Sequence, residues 1–227
     1  MAAQSIQERR QGALRVCEVP RCGHYTQDAL TPYCTTHRSR LYLHGSVHAR
    51  HIKLTETNPW GAELRRTLRQ LYKTPTALRT SLEHQVAQGI TKAVLHVEGW
   101  LKEASGCYPC VAREDMARLA GAGISAKEIV MRFLTITHYS RHALKVLNTA
   151  PEIRQAVGRA ILKRTPAQTR RDSKRMRDLP LASARDIGAS MLDHHARVAF
   201  QVSMLADEGR AERMKHAEAN AQANTPN

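Results

Sequence analysis

Three of the chain's five cysteines and one histidine lie within a single short segment. Cys17, Cys22, Cys34 and His37 have the spacing C-x4-C-x11-C-x2-H. Thiolates and imidazoles are preferred ligands of tetrahedral Zn²⁺, and a site closed by four protein ligands is structural rather than catalytic. So short a segment cannot bury a core of its own, and metal binding would supply its folding free energy. The spacing therefore predicts a zinc site at these four residues.

Other interpretations of this segment stay open. His24 and His44 are rival fourth ligands, although neither has the C-x2-H spacing of His37. The thiols could also be three unrelated buried cysteines beside a surface histidine. A helix is predicted to begin at Cys34 and to end at His44, because Gly45 tolerates the left-handed conformation that follows a helix end.

The pattern resembles the short treble-clef zinc fingers of phage and mobile-element proteins, some of which are attached to HNH endonucleases. Residues 17–45 match the elements C-x4-C, C-x2-H and a basic helix closing on His-Gly. The matching residues are Cys17, Cys22, Cys34, His37, Arg38, Arg40, His44 and Gly45. The resemblance implies a bound zinc ion and a nucleic-acid setting, in which Arg38 and Arg40 would contact DNA.

The charge balance points to an anionic partner. The 227 residues include 35 Lys and Arg against 20 Asp and Glu, a formal net charge of +15. Such an excess suits a phosphate backbone, and also an anionic membrane surface or an acidic protein. There is no apolar run of about twenty residues and no apolar signal segment at the N-terminus. We therefore expect no membrane partner and a cytoplasmic, nucleoid-associated protein, which the few cysteines also fit.

Residues 112–160 have a second informative pattern. Ser125 begins a capping box with Glu128 before an apolar helix. A turn is predicted near Thr135-Ile136, followed by a further helix. The segment resembles the helix-turn-helix of bacterial regulators and ParB-type partition proteins, in which the second helix enters the major groove. A plain three-helix core with a solvated basic face is the alternative.

In the helix-turn-helix interpretation, the second helix supplies most of the DNA contacts. The expected contacts are Thr137, His138, Tyr139, Arg141, His142 and Lys145. Arg141 is the residue best suited to read guanine. Further phosphate contacts are expected in the basic run at 154–177, from Arg170, Arg171, Lys174 and Arg175, although such runs are often only solvated faces.

The composition predicts a mainly α protein, with a small treble-clef-like zinc finger followed by a helical body that contains the helix-turn-helix. The apolar stripe of the first two body helices suits a core, a bridge between domains or a homodimer surface. Cys107 and Cys110 are expected in a helix-linking turn, with a metal pair as the alternative. The expected segments are a tail at 1–16, the finger at 17–45, a basic connector at 46–57, two helices at 58–104, the helix-turn-helix and basic region at 105–178, a long helix at 179–218 and a disordered tail at 219–227.

Recognisable catalytic signatures are missing. We find no GxxxxGK[ST] loop, no GxSxG elbow, no paired carboxylates and no HNH core. We therefore expect no enzyme and no small-molecule substrate. The sequence predicts a zinc-containing protein that binds double-stranded DNA sequence-specifically, as a regulator or DNA-maintenance accessory of a plasmid, phage or integrated element. Alternatives are an RNA-binding or nucleoprotein-assembly module, a degenerate HNH-type nuclease or recombination accessory, and a protein adaptor.

Overall fold

The computed structural model describes residues 15–26, 31–49, 52–102, 110–143, 147, 149–162 and 181–223. This part of the chain is mainly helical, as the composition predicted. In chain order the helices are α1 (Thr35–His44), α2 (Leu54–Lys73), a 3₁₀ turn (Thr76–Leu78), α3 (Ser81–Lys102), α4 (Cys110–Gly121), α5 (Ala126–His142), α6 (Ala150–Leu162) and α7 (Leu181–Ala223).

Helix α5 lies at the centre of the body and packs against α2, α3, α6 and α7. Its side chains are buried over most of its length, and Ile129 and Phe133 are fully inaccessible to solvent. Ser125 caps it as predicted, accepting a hydrogen bond from the backbone N–H of Glu128 at 3.2 Å. Neighbouring helices cover it on several sides.

The turn predicted near Thr135-Ile136 is wrong, because α5 continues through both residues to His142. Two threonine hydroxyls explain the error. Thr135 donates to the carbonyl of Met131 at 2.7 Å, and Thr137 donates to that of Phe133 at 2.9 Å. These bonds to the preceding turn satisfy polar side chains that otherwise favour helix ends. The two helices expected on either side of this turn are therefore one helix as far as His142.

Two helix boundaries also differ from prediction. Helix α2 begins at Leu54 rather than at residue 58, so Pro59 lies inside the helix. The backbone N–H of Lys53 donates to the Glu56 carboxylate at 3.1 Å, which stabilises this earlier start. Helix α7 runs to Ala223 and so includes the first residues of the tail that was expected to be disordered.

The finger segment is docked on α6. Gly45 adopts φ +82°, as its helix-ending position predicted, and lies so close to α6 that a Cβ would be 2.9 Å from the carbonyl oxygen of Pro151. Arg159 donates from Nη1 to the carbonyl of Leu43 at 3.3 Å. These contacts fix the C-terminal end of α1 against the helical body.

Several predicted features lie outside the described residues: the tail at 1–14, Cys107, Lys145, and the run that contains Arg170, Arg171, Lys174 and Arg175. In the part that is described, none of the helices combines the length and apolar character needed to cross a bilayer.

Candidate metal centre and nucleic-acid surface

The first half of the metal-ligand cluster is built on a tight turn. Val16 and Tyr25 form an isolated antiparallel bridge, and the Cys17 N–H donates to the His24 carbonyl at 2.8 Å. Between these strand-like segments, Arg21 and Gly23 adopt positive φ angles of 64° and 65°. A left-handed arginine is uncommon, and it reverses the chain so that Cys17 and Cys22 face the same point.

The second half comes from the start of α1. Cys34 occupies the N-cap position of this helix and His37 lies in its first turn, so both side chains lie on one side. The segment that carries Cys34 is tied to the first half by a hydrogen bond from the Glu18 N–H to the Pro32 carbonyl, 3.0 Å long. The four predicted ligands therefore converge.

Distances within the cluster are short. The Cys22 and Cys34 Sγ atoms are 3.7 Å apart, and the His37 Nδ1 atom lies 3.4 Å from Cys17 Sγ and 3.3 Å from Cys34 Sγ. The three cysteines are free thiols. Cys17, Cys22, Cys34 and His37 together form a group that could hold a metal ion, with ligand atoms all within 4.8 Å of one another. The rival ligands His24 and His44 are not part of it.

Local electrostatics favour the ligand forms of two of these groups. Burial raises the pKa of the Cys17 thiol, but hydrogen bonds to the backbone of Cys34 and Val19 outweigh it and leave the pKa below its usual value. Burial also lowers the pKa of His37, and the Arg40 guanidinium lowers it further. A neutral imidazole and a thiolate are the forms that bind metal ions.

Helix α1 is exposed on its outer side. None of its residues is buried, and it contains no acidic residue in its first turn. Arg38 and Arg40 are both exposed, and the ring of Tyr42 retains 73% of its accessible surface. Arg38, Arg40 and Tyr42 therefore present exposed basic and aromatic side chains that could contact another molecule.

The structure buries three of the residues predicted to contact DNA. Thr137, His138 and Tyr139 are almost inaccessible, and the Tyr139 hydroxyl donates to the Glu56 carboxylate at 3.2 Å. Burial lowers the pKa of His138 to about 4. His138 and Tyr139 contact α2, and the Thr137 hydroxyl donates to carbonyls of its own helix, so none of the three lies on an exposed face in this fold.

Arg141 and His142 are exposed, but both contact α7. Arg141 donates to the carbonyl of Phe200 at 3.3 Å and its guanidinium lies 4.5 Å from the centre of the Phe200 ring. The Nε2 atom of His142 is 2.9 Å from the Asp207 carboxylate. A DNA contact by either residue stays a prediction, and it would compete with these contacts within the chain.

Sequence reasoning missed Asp207, which joins His138 and His142 in a second group that could hold a metal ion. The i, i+4 spacing of the two histidines was a usable signal, since it places both on one helix face. The third member comes from α7 and could not be found without the tertiary structure.

Comparison with family models, curated proteins and solved structures finds no match to this chain.

Proposed function

We propose that this chain is a zinc-containing protein that binds double-stranded DNA sequence-specifically, and that α1 is the element in contact with DNA. The observation that carries the proposal is the exposed basic helix α1, which begins at two of the four residues of a Cys₃His cluster. The metal would fix the start of the helix, and α6 fixes its end through Gly45 and Arg159. Preorganisation of this kind lowers the entropic cost of binding.

The cluster geometry supports zinc. In a tetrahedral site with Zn–S near 2.3 Å and Zn–N near 2.0–2.1 Å, sulfur atoms lie about 3.8 Å apart and sulfur and nitrogen about 3.5 Å apart. The Cys22–Cys34 distance of 3.7 Å and the Cys34–His37 distance of 3.3 Å are close to these edges. The Cys22–Cys34 sulfur–sulfur distance is also far longer than the roughly 2.05 Å of a disulfide bond. A donor set of three thiolates and one imidazole favours a soft or borderline ion.

The shape and composition of α1 support a groove contact. Its ten residues span about 15 Å, at 1.5 Å per residue. The major groove of B-DNA admits an α-helix, and arginine there binds guanine through two hydrogen bonds. Arg38 and Tyr42 are four residues apart and so share a face of α1. Arg40 is two residues from each and so lies on the opposite side of the helix, where its contact would be to a phosphate rather than to a base.

The treble-clef resemblance is retained in this proposal, on the basis of the turn with two ligands followed by a helix with the other two. The helix-turn-helix is not, because α5 is continuous and buried. The net charge of +15 supports a general attraction to the phosphate backbone. A role in regulation or DNA maintenance on a mobile element remains our suggestion for the biological setting.

Measuring DNA affinity as a function of salt concentration tests the proposal. We expect Arg38→Ala and Arg40→Ala each to weaken binding, and any lost phosphate contact to flatten the slope of log K against log salt by about 0.9. Arg197→Ala is the matched control, because Arg197 is exposed on α7 and its loss removes the same charge. Equal effects of all three variants would show that only net charge matters and would contradict a specific role for α1.

A parallel measurement with double-stranded and single-stranded RNA of the same length separates the main alternative. Preferential binding to either RNA over DNA would overturn the DNA proposal in favour of the RNA-binding module. Equal affinity for all three would indicate binding to phosphate alone, without readout of bases.

A further inference from the structure

Two histidines of α5 and one aspartate of α7 meet on the side of the body that Trp60 covers. His138 and His142 are four residues apart, which places both on one face of α5. The ligand atoms of His138, His142 and Asp207 all lie within 4.8 Å of one another. The His142 Nε2 atom and an Asp207 carboxylate oxygen are 2.9 Å apart.

The indole ring of Trp60 packs against both imidazole rings. The His142 ring stacks on Trp60 with centroids 4.5 Å apart and planes 12° from parallel. The His138 ring meets the edge of Trp60 at 5.3 Å and 76°. Because ring packing restricts the side-chain rotamers, the two imidazoles lose little further freedom on binding a ligand.

His138 has an unmet hydrogen-bonding need. Its side chain retains only 1% of its accessible surface, and its Nδ1 atom is buried without a hydrogen-bond partner among the described residues. A buried polar atom without a partner is unfavourable, so native proteins rarely leave one without a reason. A simple hydrogen bond between His142 and Asp207 would account for those two residues, but it gives no role to His138.

We propose that His138, His142 and Asp207 form a second metal site, separate from the Cys₃His cluster, which takes a first-row divalent transition ion such as Zn²⁺. Two imidazoles and one carboxylate suit such an ion better than Ca²⁺ or Mg²⁺, which prefer all-oxygen sites. Three protein ligands leave a fourth position, which a water molecule would occupy.

The required movements are small. Tetrahedral Zn²⁺ with bonds of 2.0–2.1 Å places its ligand atoms about 3.3 Å apart. His142 and Asp207 must therefore separate by about 0.4 Å, and the widest pair in the group must close by at most about 1.5 Å. Changes of this size are within the reach of side-chain torsions without movement of α5 or α7.

Neighbouring cations set a limit on affinity. The Arg141 guanidinium is 4.0 Å from the second carboxylate oxygen of Asp207, and the Arg210 guanidinium lies 5.3 Å from the centre of the Trp60 ring. Both repel a divalent ion, and Arg141 competes for Asp207. The site should consequently bind more weakly than the Cys₃His cluster and fill second in a titration.

Zinc titration of the full-length protein, followed by calorimetry and elemental analysis, tests the proposal. We expect wild type to bind two equivalents in separate phases, and His142→Ala to bind one. Asp207→Asn should also bind one, and it keeps the size of the side chain, so it guards against a folding defect. Circular dichroism should show the same helix content in all three proteins.

His194→Ala is the matched control, because His194 is an exposed histidine on α7 that is not in the group. It should bind two equivalents. In Cys34→Ser the weaker phase should remain, which shows that the two sites are independent. The proposal is overturned if wild type binds only one equivalent, if the second equivalent survives both His142→Ala and Asp207→Asn, or if His194→Ala removes it.

Discussion

Gly158 of α6 lies directly against the backbone of Ala184 in α7, so closely that a Cβ at position 158 would overlap the Ala184 carbonyl. The contact is reciprocal along the same crossing, because a Cβ on Gly188 of α7 would overlap the carbonyl of Arg154 in α6. Helices α6 and α7 therefore pack backbone to backbone. Since α6 also carries the docking contacts of the finger, this crossing sets the position of α1 relative to the rest of the body.

Replacement of Gly158 should be strongly destabilising. Because backbone atoms cannot move aside as a flexible side chain can, we expect Gly158→Ala to lower the free energy of unfolding by about 3 kcal/mol or more. Gly99→Ala is the matched control, since a Cβ there meets nothing within 4 Å. That variant should be neutral or more stable by up to about 1 kcal/mol. Urea unfolding measures both, and a mild effect at Gly158 would contradict the close crossing.

The Cys₃His cluster predicts a specific spectroscopic result. Protein loaded with Co²⁺ should show thiolate-to-cobalt charge-transfer absorption, because three of the ligands are cysteines. Cys34→Ser should weaken this absorption severely and release the tightly bound ion, whereas His24→Ala should retain both. Absorption that is lost in His24→Ala but kept in His37→Ala would assign the fourth ligand to His24 instead.

A buried histidine chain predicts how stability depends on pH. His96 accepts a hydrogen bond from Trp100 Nε1 at 3.1 Å, and its Nδ1 atom is 2.9 Å from His195 Nε2. Tryptophan can only donate, so we assign the His96 proton to Nδ1, which donates to His195. Burial lowers the pKa of His195 to about 4, with a smaller contribution from His96. Burial also lowers the pKa of His96.

An unfolded histidine has a pKa near 6.5, so the unfolded chain takes up protons between about pH 6.5 and 4 that the folded chain does not. The stabilisation from neutral His195 is therefore complete above pH 6.5 and is lost as the pH falls toward 4. We expect His195→Gln to lose less unfolding free energy than wild type between pH 7 and pH 5. His216→Gln, a change at an exposed histidine of α7, should behave like wild type. Equal losses of unfolding free energy in His195→Gln and wild type would contradict a lowered pKa for His195 in the folded chain.

Local patterns predicted the Cys₃His cluster and the end of α1. The spacing of Cys17, Cys22, Cys34 and His37 identified a group that the structure brings together, and Gly45 marked the end of α1. Both depend on interactions within about thirty residues, where the chain leaves few alternatives. The mainly helical fold class was predictable from composition for a similar reason. That the cluster holds a metal, which metal it is and what the protein does stay predictions, because these local patterns do not show them.

The body could not be predicted to the same depth. Threonine is common at helix ends, so the sequence at Thr135 and Thr137 suggested a break, whereas the backbone of α5 is helical through both residues. The polar face of α5 resembled an exposed surface, because nothing in the sequence shows that α2 and α7 cover it. His138 is buried for this reason, and Asp207 reaches it from a helix that begins about forty residues further along the chain.

Selection of binding sites from a pool of randomised double-stranded DNA tests the central claim most directly. For zinc-loaded wild type we expect one reproducible enriched motif. The Arg38→Ala, Arg40→Ala double variant should lose that enrichment, because a bidentate arginine–guanine contact contributes about 1–3 kcal/mol of discrimination. Arg141→Ala should keep the motif, because its guanidinium contacts α7. No enriched motif for wild type, or a motif that survives the double variant but is lost in Arg141→Ala, would contradict DNA recognition by α1.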